Sequence, residues 1–445
     1  MTENARRQAL WVSVIVAAFA MVATLPGRTH GLGLVTEPLL DDLKLDRVDY
    51  AGINLWATLL GAVFCLPWGW LIDRVGARLM LAITLVALGG VVVLMSGIEA
   101  DWIVTWSVSV PYWLSDSGTW ILSVAMDFFL LVLLTRGLGQ SALSVVSITL
   151  MGRATGERSG TVIGVYSFLV AAGFMAAFSA IKFVSTDMNP GWRELWAAIG
   201  WIVLISGPVT WFVLGLASPK ASPRALGVEA VSPPDDPAAF TLRQAVASPL
   251  FWLFALATSL YGLIASGVSL FNQSILEERG FDRDVFLTIT ALSPMVGLAS
   301  NLASGWLATR WPLGRILAIA MLILAGSLCF FPLVETLTEV YLYAAAMGIA
   351  GGMITVLFFA VWAKAYGKTH LGQIQGAAQM LTVLTSALGP LCLALCKERT
   401  GSYIPFLLTA AGISGLLAVA ALVVPMPVRS PSASPFVPAD EATLA

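Results

Sequence analysis

Arg28 and Arg136 each stand inside a long apolar run, where an ionised side chain needs a chemical reason to be present. A guanidinium is a planar, permanently charged fork of donors that matches a carboxylate. Arg28 follows the pair Pro26-Gly27 and is a candidate for binding an anion; the plainer alternative is a side chain that snorkels from a helix end. His30 lies two residues further on, about 200° around a regular helix. Histidine titrates near neutrality, so His30 can carry a coupling proton, or serve as a hydrogen-bonded structural residue. Asp127 is the acid nearest Arg136 along its run. Nine residues place it about half a turn around and roughly 13 Å away, so the spacing predicts no direct pair. Arg136 is then a second candidate for binding the substrate, the alternatives being contact with another helix or an architectural hydrogen bond to backbone. Asp127 remains the acid available for proton exchange.

Neutral groups that can line a polar path are Asn54, Tyr261, Gln273, Trp362 and Gln379. Trp56, Tyr166, Asn272, Ser293 and Thr382 are of the same kind. Each can equally join one helix to another. Enzyme chemistry finds no support: no Ser/His or metal-ligand constellation falls within the apolar runs, and no phosphate-cradling Gly-x-x-x-x-Gly-Lys-Ser/Thr loop is present. Cys65, Cys329, Cys392 and Cys396 lack metal-ligand spacing and read as small buried residues. His370 reads as structural. No cofactor and no nucleic-acid partner is expected.

The elements that must position these residues follow from composition. Of 445 residues, 58% are hydrophobic and 11% charged, against about 25% charged in a typical soluble protein. Lipid is the solvent for such a surface. Runs of about 20 apolar residues predict spans near 8–40, 48–71, 77–98, 124–151, 159–184, 194–217, 249–275, 285–308, 313–333, 339–365, 371–396 and 403–426. The first is long and is broken at Pro26, Gly27, Gly31 and Gly33. With the N-terminus inside, 14 of the 24 basic residues fall on the cytoplasmic side, which places both termini in the cytoplasm of an inner membrane.

The Pro-, Ser- and Ala-rich stretch 218–247 reads as a cytoplasmic linker. It divides an N-terminal half, 1–217, from a C-terminal half, 248–426, and leaves a disordered tail, 427–445. Residues 99–123 carry four tryptophans among acids and a proline, and predict an interfacial loop or an outward extension of the fourth helix. A lid over the substrate path is a further reading of the same stretch.

The halves echo each other. Gly69-Trp-Leu-Ile-Asp-Arg-Val-Gly-Ala-Arg78 follows span two, and Gly305-Trp-Leu-Ala-Thr-Arg-Trp-Pro-Leu-Gly-Arg315 follows span eight. Gly160 and Gly164 open span five as Gly372 and Gly376 open span eleven. Glycines four apart share one helix face and permit close backbone approach.

Gly69-x-Leu71-x-Asp73-Arg74-x-Gly76-x-Arg78 resembles the signature loop between the second and third helices of the major facilitator superfamily. Arg136-Gly-Leu-Gly139-Gln140-Ser-Ala142 is similar to its fourth-helix motif. Gly389-Pro390 and Gly191-Trp192-Arg193 also resemble it. Residues 25–40 and 366–391 look most like the monocarboxylate and oxalate–formate branch, although span eight lacks the arginine those carriers usually place there. The resemblance implies an all-α polytopic membrane protein of about twelve transmembrane helices in two pseudo-symmetric six-helix halves, and a monomer. It implies that Asp73, with Gly69, Arg74, Gly76 and Arg78, latches the outward-facing state, and that Arg136 takes part in conformational coupling and proton transfer. Thr309 stands where the second half would place an acid, so a weaker latch is expected there. The expected function is secondary active transport of a small organic anion, a monocarboxylate first, with the proton as coupling ion. The alternatives are an exporter of an apolar or cationic compound and a membrane sensor that no longer transports.

Overall fold

A computed structural model describes residues 3–45, 47–99, 105–110, 120–155, 159–184, 191–217 and 239–426. A chain in hydrocarbon must satisfy its backbone groups internally, and this one does so, among the described residues, with twelve helices long and apolar enough to span a bilayer. They are Glu3–Gly27, Asp49–Val75, Ala77–Ser96, Met126–Ala154, Gly160–Phe183, Trp192–Ala217, Pro249–Glu277, Arg283–Leu307, Leu313–Leu333, Leu337–Tyr366, Leu371–Thr400 and Ile404–Val423, here spans 1 to 12. Each coincides with an apolar run identified in the sequence. Spans 4 and 10, at equivalent places in the two halves, are the most buried, at 67% and 72% of their apolar windows. Leu94, Leu216, Leu416 and Val423 lie exposed around the outside, as a lipid-facing belt requires.

An even number of passes brings the first residues of span 1 and the last of span 12 to one face, the terminal face; the opposite one is the far face. The departures from regular helix in spans 1 and 4 build the site; span 2 is also interrupted, at Val63-Phe64, and span 9 ends in a 3-10 turn. Span 1 is α-helical to Val22, tightens to a 3-10 turn over Leu25–Gly27, extends at Arg28 (φ −98°, ψ 152°), and resumes over Thr29–Gly33. The break predicted at Pro26-Gly27 is there. Span 4 widens into a π-helix over Arg136–Leu143, a distortion that recurs at functional sites.

Three regions differ from expectation. Within 99–123 the chain forms an antiparallel hairpin, β1 (Thr105–Val110) with β2 (Trp120–Ala125), in register from Thr105↔Ala125 to Val110↔Trp120. It is neither a loop nor a helical extension. Thr-Trp-Ser-Val-Ser-Val alternates polar and apolar residues, the period-2 signal of a strand. The end of the linker is also ordered. Leu242–Ala247 is a short helix with a Thr241/Gln244 capping box, and the Phe240 amide donates to the Tyr366 carbonyl at 3.0 Å. Residues 218–238 and the tail 427–445 lie outside the described residues. Beyond span 1, Thr36–Leu43 forms a separate helix on the far face, tied to span 6 by the Arg193–Asp42 ion pair at 2.8 Å and by Trp192 Nε1 to the same carboxylate at 3.0 Å.

A second far-face clasp joins the ends of spans 7, 11 and 12. Glu278 accepts from Lys397 Nζ at 2.8 Å, from the Tyr403 amide at 3.2 Å, and from the Ser402 hydroxyl. Burial alone would raise the Glu278 pKa, but these donors outweigh it and hold the carboxyl below its ordinary value. A depressed carboxylate stabilises the fold above its unfolded pKa and loses that contribution as pH falls through the folded one. The thermal midpoint is therefore expected to fall below about pH 4, with Glu278→Gln lowering it at neutral pH and flattening that acid limb. The pair is partly exposed, so the effect is at most about 1 kcal/mol. Melting curves of both proteins from pH 3 to 8 check it.

Candidate functional site

The broken segment of span 1 meets the π-segment of span 4 backbone to backbone. A Cβ on Gly27 would clash with the Thr135 carbonyl oxygen and sit 2.8 Å from Gly139 Cα; one on Gly139 would sit 2.9 Å from Gly27 Cα. This contact sets Arg28 and Arg136 in the space between the halves. Gly27→Ala is expected to force the two backbones apart at a cost of about 1–3 kcal/mol. A lowered thermal midpoint together with impaired transport is the result that checks it.

Arg136 is buried, 2% exposed. Its Nη2 donates to Asn54 Oδ1 at 2.8 Å, and its Nη1 to Thr29 Oγ1 at 3.1 Å, Gly27 O at 3.2 Å and Gln140 Oε1 at 3.4 Å. All four acceptors are neutral. The side chain therefore pins the span 1 break to spans 2 and 4. Arg28 is held more loosely: Nε donates to Thr24 Oγ1 at 2.7 Å, and Nη2 reaches Met21 Sδ at 3.3 Å and Ser144 Oγ at 3.4 Å. Its guanidinium carbon lies 5.2 Å from the Phe174 ring centre. Among the described residues neither arginine has an acidic partner.

Two cavities meet at Arg28. A central one of about 300 Å³ lies between Arg28, Gln140 and Ser144 of the first half and Tyr261, Thr355 and Gln379 of the second. The other, of about 750 Å³, extends toward the far face past Asn54, Arg136, Thr36 and Leu391. Among the described residues no acidic side chain lines either.

The terminal face is sealed beneath them. A Cβ on Gly372 would sit 2.5 Å from Gly69 O, and one on Gly376 would strike Cys65 O. Across the pseudo-symmetric contact, a Cβ on Gly305 would sit 2.5 Å from Gly164 Cα, and one on Gly160 would sit 2.7 Å from Gly305 O. The two glycine echoes thus form two matched crossings between the halves. At one of them Asp73 caps the start of span 11. Its Oδ1 accepts from the Gly372 amide at 2.8 Å, and its Oδ2 from the Gln373 amide at 2.9 Å and side chain at 3.2 Å. Arg153 Nη2 pairs with Oδ1 at 2.6 Å, with side chains only 7% and 5% exposed. At the other crossing Thr309 donates to Trp306 O of its own helix and caps nothing.

The structure separates the remaining sequence candidates. Asn54, Tyr261 and Gln379 line the cavities. Gln273 does not: it sits near the far end of span 7 and donates to Glu277 at 2.7 Å. Trp362 is 1% exposed and packs in the core against Phe251 and Tyr366. Asp127 is exposed in the first turn of span 4, away from Arg136, whose partners are all neutral. Of the loop residues, Arg74 stacks on Trp70 at 4.0 Å, and Arg78 binds Trp211 O at 2.9 Å, so both stay within the first half. Gly76 turns the chain at φ 96° between spans 2 and 3. The His30 side chain lies outside the described residues. Arg153, the partner of Asp73, carries no local signal beyond being a basic residue at a helix end.

This chain belongs to the Major Facilitator Superfamily, whose family model matches residues 10–390 and 255–444. It is a multi-pass membrane protein of the transporter fold that defines that family. Among curated proteins it is similar to monocarboxylate transporter 13 of Rattus norvegicus, 29% identical over 133 residues; the match spans 29% of this chain and 30% of that relative's length. Among solved structures it is similar to FucP in the outward conformation, with a TM-score of 0.63 at 12% identity, covering 94% of this chain and 99% of that one. The human organic anion transporter MFSD10 gives a TM-score of 0.63 at 14% identity, covering 95% and 100%. The proton:xylose symporter XylE gives the same score and identity, covering 95% of each chain. These likenesses concern the fold.

Proposed function

We propose that the chain is a secondary active transporter of a small organic anion, a monocarboxylate first, working by alternating access across the inner membrane with its termini in the cytoplasm. The observation that carries this reading is Arg28. It is a guanidinium at the neck of a cavity between the halves; among the described residues no acid lines that cavity, the guanidinium is hydrogen-bonded only to neutral groups, and its Nη1 makes no hydrogen bond. An uncompensated cation in such a place favours an anionic ligand. A lining with no acid among the described residues equally disfavours a cationic cargo. The partial match to a monocarboxylate transporter supports the same class.

In this reading Arg28 binds the anion, Asn54, Tyr261 and Gln379 complete the lining, and Arg136 holds the span 1 break in place. Asp73 latches the terminal, cytoplasmic face through the start of span 11, so the described state faces outward. Anion binding neutralises Arg28 and lowers the cost of closing the cavity around it. Proton coupling rests on His30, the titratable residue nearest Arg28 in the chain. The protein acts as a monomer in the bilayer and needs no cofactor. Uptake of labelled lactate, pyruvate, acetate and oxalate into proteoliposomes tests it, with and without an inside-alkaline gradient. Accumulation of one of them supports the reading, and accumulation only under the gradient supports proton coupling. Movement of a cationic or neutral compound with none of the acids would overturn it.

A further inference from the structure

The wall opposite Arg28 differs in chemistry from the wall that carries it. Thr258, Ser266, Thr355 and Thr382 line the central cavity from spans 7, 10 and 11. Each spends its hydroxyl proton on a carbonyl of its own helix: Thr258 on Phe254 O at 2.9 Å, Ser266 on Leu263 O at 3.1 Å, Thr355 on Gly351 O at 2.8 Å and Thr382 on Ala378 O at 3.1 Å. A hydroxyl whose proton is already used presents lone pairs alone. This wall therefore accepts hydrogen bonds, which suits a ligand that brings donors and repels a second carboxylate. Tyr261 and Gln379 line the same wall, and among the described residues neither side chain has a hydrogen-bond partner. Each can both donate and accept.

The cations can also be counted. Arg136 Nη1 and Nη2 are taken by four neutral acceptors, and Arg136 does not line the central cavity. Arg28 is the one cationic side chain that does, among the described residues. One free guanidinium matches one carboxylate. Ile354, Phe358 and Val383 of the same wall offer flat apolar surface to a carbon skeleton. The volume of about 300 Å³ lies at the small end of ligand sites, roughly 300–1,000 Å³.

We propose that the substrate is a polyhydroxylated monocarboxylate, an acid of the sugar-acid type. Its single carboxylate sits on Arg28 and its hydroxyls meet the acceptor wall and Tyr261 and Gln379. This rests on the anion reading above and narrows it. A plain fatty acid of equal length would leave the acceptors of that wall unpaired, which is where hydrogen-bonding sites gain most of their discrimination.

The test is calorimetric binding to the purified full chain in nanodiscs with three six-carbon acids: gluconate, hexanoate and adipate. The expected result is gluconate binding at least tenfold more tightly than either of the others. Tyr261→Phe, Gln379→Leu and Thr382→Val should each narrow the gap between gluconate and hexanoate. Three separate variants keep the test informative if one of them fails to fold. Hexanoate binding as tightly as gluconate would overturn the hydroxyl assignment and leave the anion reading standing. Adipate binding tightest would overturn the count of one free cation. If no acid binds while a neutral or cationic compound does, the anion reading falls and this proposal with it.

Discussion

Asp73→Asn is expected to unlock the terminal face. The substitution keeps the size of the side chain and removes its charge. Two losses follow, and they belong to different states. Arg153 lies in the same half as Asp73, so that ion pair can persist when the halves part. Stranding the buried Arg153 costs about 3–5 kcal/mol, and the cost falls on the fold as a whole. The bonds to the Gly372 and Gln373 amides cross between the halves and exist only while this face is shut. A carboxylate at a helix N-terminus contributes up to about 2 kcal/mol when partly buried. Removing it should shift the balance of states by roughly thirtyfold.

Cys65 reports that shift, because it is fully buried and its carbonyl is what Gly376 packs against. Alkylation of Cys65, in a variant where it is the one cysteine, should speed up by about that factor in Asp73→Asn. Adding Arg153→Met should restore thermal stability without restoring the slow alkylation. Unchanged alkylation in Asp73→Asn would remove Asp73 from the latch and leave the glycine crossings to hold the face shut.

Arg28→Gln carries the second large effect. Glutamine keeps a polar side chain near Thr24 and Ser144 but has no charge. Losing one partner of a buried, hydrogen-bonded charge pair costs about 2–5 kcal/mol. Anion affinity should therefore fall roughly thirtyfold to several thousandfold. Arg28→Lys should fall in between, since an ammonium keeps the charge and loses the two-pronged geometry. Because Arg28 has no acidic partner among the described residues, removing its charge strands nothing, and the thermal midpoint of Arg28→Gln should hold or rise. Arg136→Gln should behave differently. Its guanidinium joins spans 1, 2 and 4 through four hydrogen bonds, so stability and transport should drop together. Titrating each variant for anion binding, and melting it, separates the two roles.

The twelve spans were legible in the sequence because a bilayer imposes a local rule: about 20 apolar residues in a row. Arg28 and Arg136 were legible for the same reason, since a charge inside such a run stands out. The Gly69 and Gly305 echoes pointed to the two crossings, because a repeated fold repeats its close contacts. What escaped the sequence depends on helix rotation and on long-range pairing. Trp362 and Gln379 are both large residues on apolar helices, and nothing local shows that the first turns into the core and the second into the cavity. Arg153 meets Asp73 across 80 positions of chain, with no spacing to announce it. The π-turn at Arg136–Leu143 changes which residues share a face, so a count at 3.6 residues per turn misplaces that segment. The hairpin β1–β2 carries a period-2 alternation, but four tryptophans and a proline beside a membrane span are equally the signature of an interfacial segment.

The charge dependence of binding by the unmodified protein measures the role of Arg28 most directly. Calorimetry in nanodiscs would compare a small carboxylate with its methyl ester, which keeps the skeleton and loses the charge. If Arg28 is the anion site, the carboxylate binds and the ester binds at least thirtyfold more weakly, and the difference disappears in Arg28→Gln. If the ester binds as well as the acid, or if Arg28→Gln keeps the preference, Arg28 does not hold the anion and the proposed substrate class is wrong.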